Sequence, residues 1–297
     1  MTELRDEYLD PGVVEELEDM EVRARVLVDG ILSGLHASPH RGGSVEFAEY
    51  TEYTPGDELR HVDWKVYAKT DEFYIKEYED ETNLRAYFVI DSSGSMNFAS
   101  ERAEVTKLRY VSFLAATFAY LLVRQGDAVG ALNFADESDQ FLPASSSRSH
   151  LEDFFWFLEE MEGEGETSYH SALQTLGERA PQRSMIFVFS DFLEADEETL
   201  KLLRVLKAQR RDVAAFHVVD PAEVSLPYEG LRIFEGLEGE GELLADPDDL
   251  RDDYVSRMRE HMDFIERGCR DGDIAYQRFA TTQPLEEVCL GFLRRRL

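Results

Sequence analysis

Apolar residues recur along this chain at two spacings, and the change from one regime to the other divides it. From Pro11 to about Leu35, Val14, Leu17, Ala24, Leu27, Val28, Ile31, Leu32 and Leu35 follow helical spacing, since residues three and four apart share a helix face. Pro11 suits a first turn, and Gly34 stands near the end. An Arg-Gly-Gly turn, Arg41 to Gly43, closes this segment, and Ser44 to Tyr53 leads to Thr54-Pro55-Gly56-Asp57. There proline presets one dihedral and glycine frees the next, so a turn is expected. Glu72 to Tyr78 alternates as a strand does. Residues 1–82 are therefore expected to form a helix and a small β-rich unit packed on a main domain.

From Asn83 onward short apolar runs alternate with helical patterns, which predicts a parallel sheet with helices on both faces. Residues 84–90 are apolar and partly β-branched, the composition of a strand covered on both sides. A helix is expected from about Glu101 to Gln125, a strand over Asp127 to Phe134, and a hairpin partner at Ser138 to Leu142. An aromatic helix over about 149–162, a helix ending at Arg179, strand 185–189, helix 196–210 and strand 213–219 continue the alternation. The tail offers a strand near 231–235, a helix from about 247 to 269, a strand at 273–279 and a last helix from Pro284. The acidic glycine run from Glu235 to Gly241 reads as an exposed loop. The expected architecture of residues 83–297 is α/β, a doubly wound, mostly parallel, Rossmann-like sheet.

Charge narrows the functional classes. The chain has 62 acidic against 31 basic residues, a formal charge of −31. Binding to nucleic acid or an anionic membrane needs a basic face, so neither partner is expected. So large an excess of carboxylates repels itself at ordinary salt, whereas at about 1 M the Debye length falls to about 3 Å. A salt-rich, halophilic cytoplasm is the setting this balance suggests. No apolar run approaches the roughly 18 residues of a membrane span, and Met1 to Glu7 is acidic where a signal peptide is basic. A cytoplasmic protein without a membrane span is expected. Cys269 and Cys289 fall in predicted helices and read as buried thiols.

The chemistry gathers where apolar strands end. Asp91-Ser92-Ser93-Gly94-Ser95-Met96 follows the first strand directly, lining oxygen ligands along one sharp loop. Thr167 precedes a helix, and Asp191 ends the apolar strand 185–189. Each has a plain alternative: an Asp-Ser turn for the first, a helix cap for the other two. In a doubly wound sheet, however, all three loops converge on one edge, where such folds put their sites. Asp91, Ser93, Ser95, Thr167 and Asp191 then form an oxygen-only set suited to magnesium, with manganese a second choice and calcium less suited.

These residues resemble the metal-ion-dependent adhesion site of von Willebrand factor A domains. The resemblance implies that Asp91, Ser93, Ser95, Thr167 and Asp191 hold magnesium directly or through water. Two positions depart from that pattern: Gly165-Glu166-Thr167 stands for Gly-Gly-Thr, and Phe192 follows the later Asp where glycine is frequent. Upstream, Gly43 to Tyr50 and Tyr53 to Lys65, including Arg60-His61-Val62-Asp63-Trp64-Lys65, look like the signature of the domain-of-unknown-function 58 family. The residues alone give this segment a modest reading, a salt-bridged turn with a half-buried Trp64. Members of that family are often encoded beside MoxR-type AAA+ ATPases, so the resemblance implies such a partner.

Catalytic alternatives lack their residues. There is no P-loop pattern, no G-x-S-x-G elbow, and no ligand spacing among the histidines. A metal-dependent phosphohydrolase using the Asp91 loop is the rival, although such an enzyme normally wants a second Asp where Ser93 stands. The expected function is a non-enzymatic, magnesium-dependent protein-binding module that captures a partner's Asp or Glu, as adaptor or substrate-recognition partner of the ATPase.

Overall fold

The computed structural model describes residues 11–37 (apart from 16 and 18), 50–52, 74–76, 84–135, 140–239 and 241–296. The chain divides into two units, residues 34–83 and the remainder. In the first, β1 (Tyr50–Glu52) pairs antiparallel with β2 (Tyr74–Lys76), Thr51 facing Ile75. β2 falls within the strand expected at 72–78. The turn at Thr54 to Asp57 and the Arg60 to Lys65 segment lie outside the described residues.

In the second unit the N-terminal apolar pattern makes two helices rather than one. α1 (Pro11–Glu15) stops and α2 (Met20–Ala37) begins after Asp19, whose carboxylate accepts the Val22 N–H at 2.8 Å. The buried Arg23 explains the break: its guanidinium donates to the carbonyls of Val14, Glu15 and Leu17. Carbonyls at the end of α1 thus find a side chain in place of a continuing helix.

The main sheet is six-stranded. It comprises β3 (Arg85–Asp91), β4 (Ala128–Phe134), β5 (Gln140–Ser145), β6 (Met185–Ser190), β7 (Asp212–Val219) and β10 (Ala275–Ala280), ordered β10-β7-β6-β3-β4-β5. Every neighbouring pair is parallel except β4 with β5. The expected α/β, doubly wound, mostly parallel fold is the one observed. Its core is aromatic: Phe88 stacks on Phe187 at 5.0 Å and Phe189 on Phe216 at 4.7 Å.

Helices α3 (Lys107–Arg124), α4 (Arg148–Glu159), α5 (Tyr169–Arg179), α6 (Glu197–Ala208), α7 (Pro221–Ser225), α8 (Pro247–Asp271) and α9 (Leu285–Arg296) complete the unit. α3 starts later than Glu101 because Thr106 is extended and its hydroxyl accepts the Arg109 N–H. The tail strand near 231–235 is β8 (Arg232–Glu235), and it has a partner the sequence reading missed, β9 (Glu242–Ala245). Cys269 and Cys289 are buried free thiols. Among the described residues no helix is long and apolar enough to cross a membrane.

This topology fixes where a site can form. From β3 the chain moves one way along the sheet to β4 and β5, then returns to the other side of β3 for β6, β7 and β10. The crevice between β3 and β6 is the switch point, and ligands of open α/β sheets bind beyond the carboxyl ends of such strands. Ile90 pairs with Phe189, so Asp91 and Ser190 emerge side by side.

Candidate metal centre

Asp91 leaves the sheet fully buried, and both its oxygens are engaged. Oδ1 accepts the Ser93 N–H at 3.0 Å, which turns the chain sharply. Oδ2 accepts the Ser190 hydroxyl at 2.6 Å, with the Tyr169 hydroxyl 3.5 Å away. Tyr169 lies 2.7 Å from Ser190 Oγ, which also accepts the Phe192 N–H. Since Ser190 donates to Asp91, its lone pairs are what Tyr169 and Phe192 address. The Ser93 and Ser95 hydroxyls stand 3.1 Å apart, and Ser95 donates to Asp191 Oδ2 at 2.8 Å. Asp91, Ser93, Ser95 and Asp191 are therefore one hydrogen-bonded set.

Thr167 is placed differently. Its loop is tied to the Asp91 loop by Gly94 N–H to the Gly165 carbonyl at 2.9 Å and Glu164 N–H to the Ser92 carbonyl at 3.0 Å. Thr167 is half-buried there, and no hydrogen bond of its hydroxyl occurs among the described residues. Neither cap alternative describes these residues: Ser168 occupies the N-cap of α5, and Asp196, not Asp191, caps α6 by accepting the Thr199 N–H.

Three groups at this edge escaped the sequence reading. Lys107 opens α3 fully buried and donates to Asp191 Oδ2 at 2.6 Å and to Glu223. Glu223 closes a capping box on α7, accepting the Asp220 N–H. Ser190 is the third. A lone lysine at the head of an otherwise apolar helix, in a chain poor in lysine, was the signal for Lys107. Ser190 gave none, because a strand-end serine is ordinary.

The electrostatics divide the two aspartates. Burial and the nearby Asp191 push the Asp91 carboxyl up to about 7 despite its hydrogen bonds. Burial also opposes ionisation of Asp191, but the Lys107 ammonium outweighs it and holds that carboxyl below its ordinary value. Lys107 itself is pushed up to about 12, its burial more than offset by Asp191 and Glu223. Among the described residues no ion pair joins Asp91 to a cation.

The donor set fits a divalent cation. Asp191 and Glu223 share the Lys107 ammonium, which leaves Asp91 as the carboxyl that a cation would meet. Among the described residues no three His, Cys, Asp or Glu side chains gather at metal-binding spacing. A cation here would rest on Asp91 and the nearby hydroxyls, with Asp191 reached through Ser95 or water, the partly hydrated oxygen shell magnesium accepts.

Uncharacterized protein Rv1480 of Mycobacterium tuberculosis and uncharacterized protein Mb1516 of Mycobacterium bovis are each 28% identical over 274 residues, covering 90% of this chain and 84% of theirs. Among solved structures, the conserved hypothetical protein BatB from Bacteroides thetaiotaomicron is similar with a TM-score of 0.48 and 17% identity, over 71% of this chain and 98% of its own. The SpRpn10 VWA domain gives 0.43 and 14%, over 69% and 93%. The family model described as "Protein of unknown function DUF58" matches residues 49–263. That span is most of the chain, and the chain belongs to the DUF58 family.

Proposed function

We propose that this chain is a magnesium-dependent protein-interaction module, working in the cytoplasm as adaptor or substrate-recognition partner of a MoxR-type AAA+ ATPase. The observation that carries the metal reading is Asp91: a carboxylate buried at a strand end, bonded to hydroxyl and amide donors and standing beside a second buried carboxylate. Asp91, Ser93 and Ser95 would hold the ion, with Thr167 approaching from its own loop and Asp191 acting through the Ser95 hydroxyl or water. Magnesium, when bound, supplies a hard acceptor for a partner's carboxylate.

The chain's own residues do the rest. Lys107 keeps Asp191 ionised and fixed, so that Asp191 holds the Ser95 hydroxyl in place. Ser190 and Tyr169 orient Asp91 from behind. Asp91 Oδ2 accepts a hydrogen bond at 2.6 Å, which favours a holding role over that of a nucleophile in phosphate-ester hydrolysis. The ATPase partnership rests on the family resemblance.

Affinity purification from the native host, with and without magnesium, tests the module. Capture of a protein partner is expected with magnesium, and loss with chelator or with Asp91→Ala. Capture that survives both overturns the proposal.

A further inference from the structure

The acidic glycine run between β8 and β9 is exposed at Glu235, Leu237 and Gly239, as expected, but Glu238 is half-buried. Its tip closes through the Gly236 N–H on the Gly241 carbonyl at 2.7 Å, with Gly239 and Gly241 at positive φ of 93° and 89°. The tip then comes down on the Asp91 loop: Glu238 Oε1 accepts the Ser95 N–H at 3.1 Å across 143 residues of chain. Glu238 Oε2 is buried there. Beside it the Leu237 carbonyl lies so near Gly94 that a Cβ built on Gly94 would stand 2.2 Å from the oxygen. The strands behind the tip face water, since Ile233, Leu243 and Leu244 are 65%, 61% and 61% exposed. A two-stranded hairpin is marginal by itself, so the tip can lift without disturbing the core.

We infer that Glu238 is a built-in competitor for the carboxylate position of this site, and that a partner enters by displacing the hairpin tip. The inference rests on the carboxylate-capturing reading given above and deepens it by naming a regulator and a template. The tip sets the Glu238 carboxylate and the Leu237 backbone carbonyl against the loop while the Leu237 side chain is exposed, so the matching partner offers an acidic residue in a tight, exposed turn. An internal ligand lowers apparent affinity for an external one by the fraction of time the site is open. The partner must therefore outcompete a carboxylate held at high local concentration.

The test uses the full chain and a labelled peptide of residues 231–245 as the competing ligand, in magnesium. Glu238→Ala and Glu238→Gln are each expected to bind the peptide on the order of tenfold more tightly than the unaltered chain, as for a site about nine-tenths closed. Asp91→Ala combined with Glu238→Ala should bind none. Adding peptide to the unaltered chain should also speed amide exchange over residues 232–245. Equal peptide affinity in the unaltered chain and Glu238→Ala overturns the inference. Calorimetric magnesium titration of Glu238→Ala separates the two failures. If magnesium and peptide both bind and Glu238 makes no difference, the competitor alone fails. If neither binds, the metal reading fails and the competitor with it.

Discussion

Lys107 Nζ lies 2.6 Å from Asp191 Oδ2, an ammonium and a carboxylate both removed from water in the floor of the crevice. Neither charge would survive there alone, because each would face the full cost of desolvation. Lys107→Met should therefore leave the buried Asp191 and the part-buried Glu223 uncompensated and cost about 3–5 kcal/mol. Urea denaturation of the variant measures this; a loss below about 1 kcal/mol would mean that the pair contributes little to the fold.

Ser190 holds Asp91 from the side away from the loop, in the manner of the outer partners that orient metal ligands. Ser190→Ala should weaken magnesium binding roughly 10- to 100-fold while far-ultraviolet circular dichroism stays unchanged. Calorimetric titration provides the comparison, and an unaltered affinity would remove Ser190 from the site.

Gly94 leaves no room for a side chain beneath Leu237. Gly94→Ala should push the hairpin tip outward, speeding amide exchange across residues 232–245 while β3 remains protected. Unchanged exchange in the hairpin would show that the tip yields without leaving.

His217 is buried, its ring nitrogen Nδ1 2.8 Å from the Tyr276 hydroxyl, and burial pushes it down to about 3. The unfolded chain takes up a proton near pH 6.5 that the folded chain refuses until about pH 3. This group's contribution is therefore fully present above about pH 6.5 and is lost as pH falls toward 3. Asp91 runs the other way, since a raised carboxyl favours the folded state on acidification. Subtracting the melting profile of His217→Gln from that of the unaltered chain isolates the histidine, and the difference should shrink between pH 6.5 and pH 4. A flat difference would contradict a neutral buried ring.

The formal charge of −31 predicts that salt stabilises this chain. Melting temperature should rise by several degrees as potassium chloride goes from about 0.05 to 1 M, as the Debye length shortens to about 3 Å. Constant stability across that series would dispose of the salt-rich setting.

Much of this protein could be read from its residues in order. Buried strands such as Ala86 to Ile90 and Met185 to Phe189 are unbroken apolar runs, so their period and ends are local facts. The alternation with amphipathic helices then dictates a parallel sheet, and the sheet dictates which edge collects Asp91, Ser93, Ser95 and Asp191. Boundaries were less legible. The first helix breaks where Arg23 reaches back to the carbonyls of α1, and α3 starts late where Thr106 turns extended. Both depend on a side chain meeting backbone out of helical register, which hydrophobic spacing does not encode.

What only the tertiary structure decided is what surrounds the aspartates. Lys107 and Glu223 are 116 residues apart, and Ser95 and Glu238 are 143 apart. Long-range polar contacts of this kind leave no periodic trace, because a charged residue at a helix start or in a glycine turn looks the same whether it faces water or the core. The sequence by itself determined which acidic and hydroxyl side chains leave the strand ends and which sheet edge collects them, since both follow from local pattern. Folding decided that one aspartate is tied to an ammonium, that the other is braced by Ser190, and that the chain's own Glu238 rests on the loop, because only packing brings those groups within hydrogen-bonding distance.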